Sequence, residues 1–161
     1  MALAAQQAQQ TVRLQHTYNA SPEQVFAAWS KPNALGQWFG PQSHKCKVEK
    51  FDFTMGGQYR IRMIPTGEED ADCAGDTRQD SVCAGLFVEI IENQRIAMSF
   101  DWIENGAPLG DSLLTIELKA IGDKTELNLT HERLPDAQLH KAHASGWLGS
   151  LHCLEEYLAS I

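Results

Sequence analysis

The stretch that most constrains this chain is its last one, LPDAQLHKAHASGWLGSLHCLEEYLASI. Leu139, His143, Trp147, Leu151, Leu154 and Leu158 recur there at threes and fours, the period of one helical face. Pro135 and Asp136 suit a helix start, a proline at the first position and an acid near the positive end of the dipole. Two dozen helical residues at ~1.5 Å each span more than about 30 Å, the width of a small domain. A single helix of that length carries an apolar stripe that another layer has to cover.

The remainder of the chain supplies that layer as strands. TVRLQHTY (11–18) alternates Val12, Leu14, His16 and Tyr18 against polar residues. SPEQVFAAW then reads as a short helix, with Ser21 as cap, Pro22 in the first turn, Gln24 completing a capping box, and Val25, Phe26 and Trp29 as its buried stripe. Pro32 opens a second short helix ending near Gly36. From Lys45 the period is two. HKCKVEKFDF and QYRIRMI form a hairpin about MGG, VCAGLFVEII and RIAMSFDW follow, and SLLTIELKAI and TELNLTH pair about Gly122–Asp123. An antiparallel sheet with one long helix buries both apolar faces by wrapping around that helix, which makes the fold class α+β. Residues 1–10 are rich in Ala and Gln and are expected to be a flexible N-terminal segment. Residues 11–161 form one domain.

A net charge of −8 argues against a nucleic-acid partner, which needs a basic surface; Lys45, Lys47 and Lys50 are too few to reverse it. No apolar run reaches the ~18 residues of a membrane span, and MALAAQQAQQTVR lacks the basic leader and apolar core of a secretory signal. The four cysteines, Cys46, Cys73, Cys83 and Cys153, have no CxxC spacing. These features point to a cytoplasmic protein with reduced thiols, although Cys73 and Cys83 bracket a loop and are able to pair on oxidation. The acidic segment 68–81 (Glu68, Glu69, Asp70, Asp72, Asp76, Asp80) lacks the ligand offsets of a calcium loop and reads as a solvated connection. No metal site or cofactor fingerprint is found: P-loop, HExxH, GxSxG and Rossmann patterns are all missing, and His140 and His143 have no third ligand.

Five fragments in register, SPEQVFAAWSKPNALGQWFGP, FDFTMGGQYRIRM, GLFVEIIENQRIAMSFDW, LTHERLP and HASGWLGSLHCLEEYL, resemble the activator of heat-shock protein 90 ATPase-like branch of the START/SRPBCC superfamily, from about residue 11 to 158. The resemblance implies a helix-grip fold, a curved antiparallel sheet of about six or seven strands clasping the C-terminal helix, with a cavity between them. The segment 68–81 departs from it in length.

Within such a fold the candidate ligand-binding residues are Trp38, Phe39, Phe51, Tyr59, Met63, Phe87, Trp102, His131, His143, Trp147 and Leu151, with Phe53 and Phe100 beside them. Trp38 and Phe39, between Gly36 and Gly40–Pro41, are expected to close the mouth of the cavity. His131 shares a strand face with Leu127 and Leu129 and is the candidate acid–base group. For each of these residues ordinary core packing is the competing role. Arg60 and Arg62 are expected on the outer face, unless a β-bulge reverses their parity. The function that results is binding of a small hydrophobic or aromatic molecule. The alternatives are a cyclase- or hydrolase-like enzyme using the same cavity, and a co-chaperone-type interaction module, which one domain without the additional domain of chaperone-activating members argues against. An exposed edge strand, or the loop 68–81, leaves room for a homodimer.

Overall fold

A computed structural model describes residues 10–40, 44–66, 80–104, 107–108, 112–134 and 137–161. Its elements are β1 (Gln10–Tyr18), α1 (Pro22–Ser30), α2 (Pro32–Trp38), β2 (His44–Phe51), β3 (Gln58–Pro65), β4 (Ser81–Ile91), β5 (Arg95–Glu104), the two-residue β6 (Ala107–Pro108), β7 (Ser112–Ile121), β8 (Lys124–Leu134) and α3 (Ala137–Ser160). The long strands form one antiparallel sheet in the order β1-β8-β7-β5-β4-β3-β2, with β6 beside β5. This is the helix-grip α+β fold, with seven long strands around the C-terminal helix. The N-terminal segment up to residue 9, the helix start expected at Pro135 and Asp136, Cys73, and the acidic segment up to residue 79 lie outside the described residues.

Local chemistry accounts for the elements. Ser21 and Gln24 form the reciprocal capping box, Gln24 N to Ser21 Oγ at 3.2 Å and Ser21 N to Gln24 Oε1 at 3.0 Å, so α1 begins where both donors are satisfied. Period-two alternation puts Ile96, Met98 and Phe100 of β5, Leu114 and Ile116 of β7, and Leu127, Leu129 and His131 of β8 on the inner face, where all are buried. The helix α3 answers with Trp147, Leu151 and Leu154, also buried. Tyr18 of β1 ties that helix down by donating its hydroxyl to the Leu151 carbonyl at 3.0 Å.

The register of β2 against β3 shifts between Val48 and Lys50, a bulge that belongs to β2 and leaves the parity of β3 intact. Tyr59, Ile61 and Met63 are therefore buried, while Arg60 and Arg62 stay on the outer face. Both arginines hold Glu49 there, through Oε1 at 3.1 Å and Oε2 at 3.0 Å. Their guanidinium groups keep the Glu49 carboxyl below the usual range.

Tyr59 crosses two strands. Its register partner on β4 is Gly85, and its hydroxyl donates to the Ser99 carbonyl on β5 at 2.7 Å. A Cβ at Gly85 would sit 2.0 Å from that same carbonyl oxygen and 2.7 Å from Ser99 Oγ, which also accepts from Leu86 N at 2.8 Å. Glycine is what allows β4 and β5 to approach here. Gly85→Ala is expected to destabilise the fold by about 1–3 kcal/mol through overpacking, read as an earlier denaturation midpoint at an unchanged slope. A neutral result would mean that the two strands part freely at this point.

Candidate functional site

The interior between the sheet and the helices has two halves that meet at Phe100. The first is apolar. A cavity with room for about one water is lined by Trp29, Leu35, Phe39, Phe51, Tyr59, Ile61, Phe87, Met98 and Phe100. Six of these nine are aromatic. Phe51 meets Phe87 edge-on at 5.3 Å between centroids, and Tyr59 lies tilted against Phe87 at 5.4 Å. Its lining comes from α1, α2, the residue after α2, and β2 to β5. The helix α3 supports it from behind, where Trp147 packs on Phe39 at 5.7 Å and on Phe100 at 5.7 Å. Phe51, from the edge strand β2, is half-buried and stacks on Phe53.

The second half is polar and holds two hydrogen-bonded groups in ring contact. Trp147 Nε1 donates to His131 Nδ1 at 3.0 Å. An indole N–H can only donate, so Nδ1 is the bare nitrogen and Nε2 of the neutral ring carries the proton. Nε2 then donates to Ser112 Oγ at 2.8 Å, and the Ser112 hydroxyl donates to the Phe100 carbonyl. His143 follows the same logic: Trp102 Nε1 donates to its Nε2 at 3.1 Å, which places the proton on Nδ1. The two imidazoles lie edge to face with centroids 4.5 Å apart. Burial pushes His131 down to about 3, helped by the nearby His143, and burial alone pushes His143 down to about 4.

The structure distributes the sequence-derived candidates among three places. Phe39, Phe51, Tyr59 and Phe87 line the cavity. Trp102, His131, His143 and Trp147 form the polar half. Trp38, Met63 and Leu151 are buried elsewhere. Trp38 is T-shaped against Trp29 at 4.7 Å and donates its N–H to the Ala28 carbonyl at 2.9 Å. Met63 lies beneath the turn at Gly40, whose φ of +94° suits glycine and whose Cβ would come within 3.1 Å of the Met63 sulfur. Of WF in LGQWFGP, then, Phe39 faces the cavity and Trp38 locks α2 to α1. Sequence reasoning missed Trp29, Leu35, Ile61 and Met98 as lining residues, because a helix or strand stripe looks the same over a cavity as over solid core. Ser112 was also missed, although its parity with Leu114 and Ile116 already placed it inward.

Residues 19–159 match the family described as activator of Hsp90 ATPase homolog 1-like protein. The chain belongs to this family. Among solved structures, one of a protein from Chromobacterium violaceum superposes with a TM-score of 0.80 at 28% identity, covering 92% of this chain and 96% of that one. A structure of an AHSA1 protein from Silicibacter pomeroyi gives a TM-score of 0.80 at 23% identity, covering 94% of this chain and 99% of the other. CalU16 from Micromonospora echinospora gives 0.64 at 22% identity, covering 94% of this chain and 77% of that one. A search of curated proteins finds no match. As a member of the activator of Hsp90 ATPase homolog 1-like family, the chain is a START/SRPBCC-type ligand-binding domain. Among the described residues no helix is long and apolar enough to cross a membrane.

Proposed function

We propose that the protein binds a small, largely apolar or aromatic molecule in the cavity between sheet and helices. The observation that carries this reading is the set of six aromatic side chains around a void among the described residues. Native interiors pack to crystal density, so a void lined by rings has lost contacts that a planar guest would restore. The void as it stands holds about one water, so an aromatic guest enters only as lining side chains, the half-buried Phe51 first among them, give way. Binding is favoured over acid–base catalysis because both nitrogens of His131 are already engaged, by Trp147 and by Ser112.

The test is a thermal-shift and calorimetric screen with benzene-, indole- and naphthalene-sized compounds on the native chain and on Ile61→Phe, which adds volume at the cavity wall. A compound at 100 times its dissociation constant is expected to stabilise the native chain by about 2.7 kcal/mol, and to lose that effect in the filled variant. If no compound of this size shifts the native midpoint, or if the filled variant binds equally well, the reading fails.

A further inference from the structure

We infer that the cavity's guest is a neutral molecule presenting one hydrogen-bond acceptor to the indole N–H of Trp29; the inference rests on the binding function proposed above. The chain has four tryptophans, and three are matched to acceptors. Trp38 donates to the Ala28 carbonyl, Trp102 to His143 and Trp147 to His131. Trp29 is the fourth. It is 2% exposed, it lines the cavity, and among the described residues its Nε1 has no hydrogen-bond partner. Buried polar groups in folded proteins are almost always matched, so an unmatched donor on a residue that walls a void asks for an explanation. An acceptor carried into that void supplies one.

The other polar group on the cavity wall restricts the guest further. The Tyr59 hydroxyl has its proton committed to the Ser99 carbonyl, so toward a guest it can only accept. The lining contains no cation, and the nearest arginines on β3, Arg60 and Arg62, face outward and hold Glu49. A carboxylate guest would be desolvated against one neutral donor, and an ammonium guest against one neutral oxygen; both are costly. What fits is an uncharged aromatic carbonyl, ester or ether: rings for the phenylalanines, one oxygen for Trp29.

The experiment compares acetophenone, ethylbenzene and benzoate by calorimetric titration of the full chain. The first two share shape and differ by a carbonyl against a methylene. Acetophenone is expected to bind about five- to tenfold more tightly than ethylbenzene, the worth of one buried hydrogen bond, with benzoate the weakest. In Trp29→Phe, which keeps a ring and removes the N–H, the preference is expected to fall below about twofold. Equal affinity for the first two in the native chain overturns the inference and leaves the binding function standing. Binding of none of the three overturns both. A second readout needs no variant: the indole ¹⁵N–¹H resonance of Trp29 is expected to move downfield with acetophenone and to stay with ethylbenzene. A resonance already downfield and unmoved by acetophenone would mean that the N–H is satisfied by water, and would overturn the inference.

Discussion

Trp147→Ala is expected to bring the protein to the edge of unfolding. Truncating a buried tryptophan costs about 3–5 kcal/mol through lost transfer energy and the cavity left behind. Here the removed ring also packs on Trp29, Phe39, Phe100 and His131, so the loss reaches both halves of the interior. The indole N–H goes with it, leaving His131 Nδ1 bare in a site with 0% exposure, which adds about 1–3 kcal/mol. The sum rivals the 5–15 kcal/mol total of an ordinary domain, roughly speaking. Trp147→Phe separates the two contributions, since it keeps most of the ring and drops only the donor; it is expected to cost about 1–3 kcal/mol. Urea denaturation followed by far-ultraviolet circular dichroism measures both. An alanine variant within about 1 kcal/mol of the native chain would mean that α3 is held by other contacts, and the polar chain would lose its structural role.

Acid is expected to weaken the fold well before the carboxylates titrate. His131 and His143 stay neutral in the native state down to about 3 and 4, while in the unfolded chain each binds a proton near the usual histidine value of about 6.5. Between these limits the unfolded state holds more protons, so stability rises with pH and falls as pH drops. The contribution is fully present above about pH 6.5 and is lost progressively below it, at up to about 1.4 kcal/mol per pH unit for each ring. From pH 7 to pH 5 the two together cost about 4 kcal/mol. The chemistry agrees with the sign. A protonated imidazole carries two donors, and each ring now accepts from a tryptophan N–H, so charging either sets donor against donor. His143→Gln is expected to halve the slope between pH 7 and pH 5. If the native chain is equally stable at both pH values, these rings are already charged in the fold or solvated, contrary to their packing.

The fold was legible because its signals are local and repeated. Alternation along β5, β7 and β8, the capping box at Ser21 and the long stripe of α3 each state which face turns inward, and burial follows them residue by residue. The outward setting of Arg60 and Arg62 was equally legible, since the bulge that could have reversed them lies in β2. The candidate site was legible only as a pool of residues. Sequence parity places Tyr59, Phe87, His131 and Trp147 inside, but it does not say which of them meet. The sorting into a ring around a void and a chain of hydrogen bonds depends on how α1 and α2 lie across the sheet, a matter of tertiary packing with no periodic trace. Trp29 shows the limit most clearly. Its place on the stripe of α1 was readable, whereas its lack of an acceptor is a property of everything around it.

The division of labour at Phe100 decides what a substitution there changes. Its ring walls the cavity, yet the hydrogen-bond chain ends on its backbone carbonyl, which every residue type possesses. Another apolar side chain at this position would reshape the cavity and change the ring contacts on His131 and His143, while the last acceptor of the chain stays where it is. His131 has no such freedom, because its own ring atoms are the links. Substitution at Phe100 is then expected to keep the backbone link of the chain, whereas substitution at His131 removes two links at once.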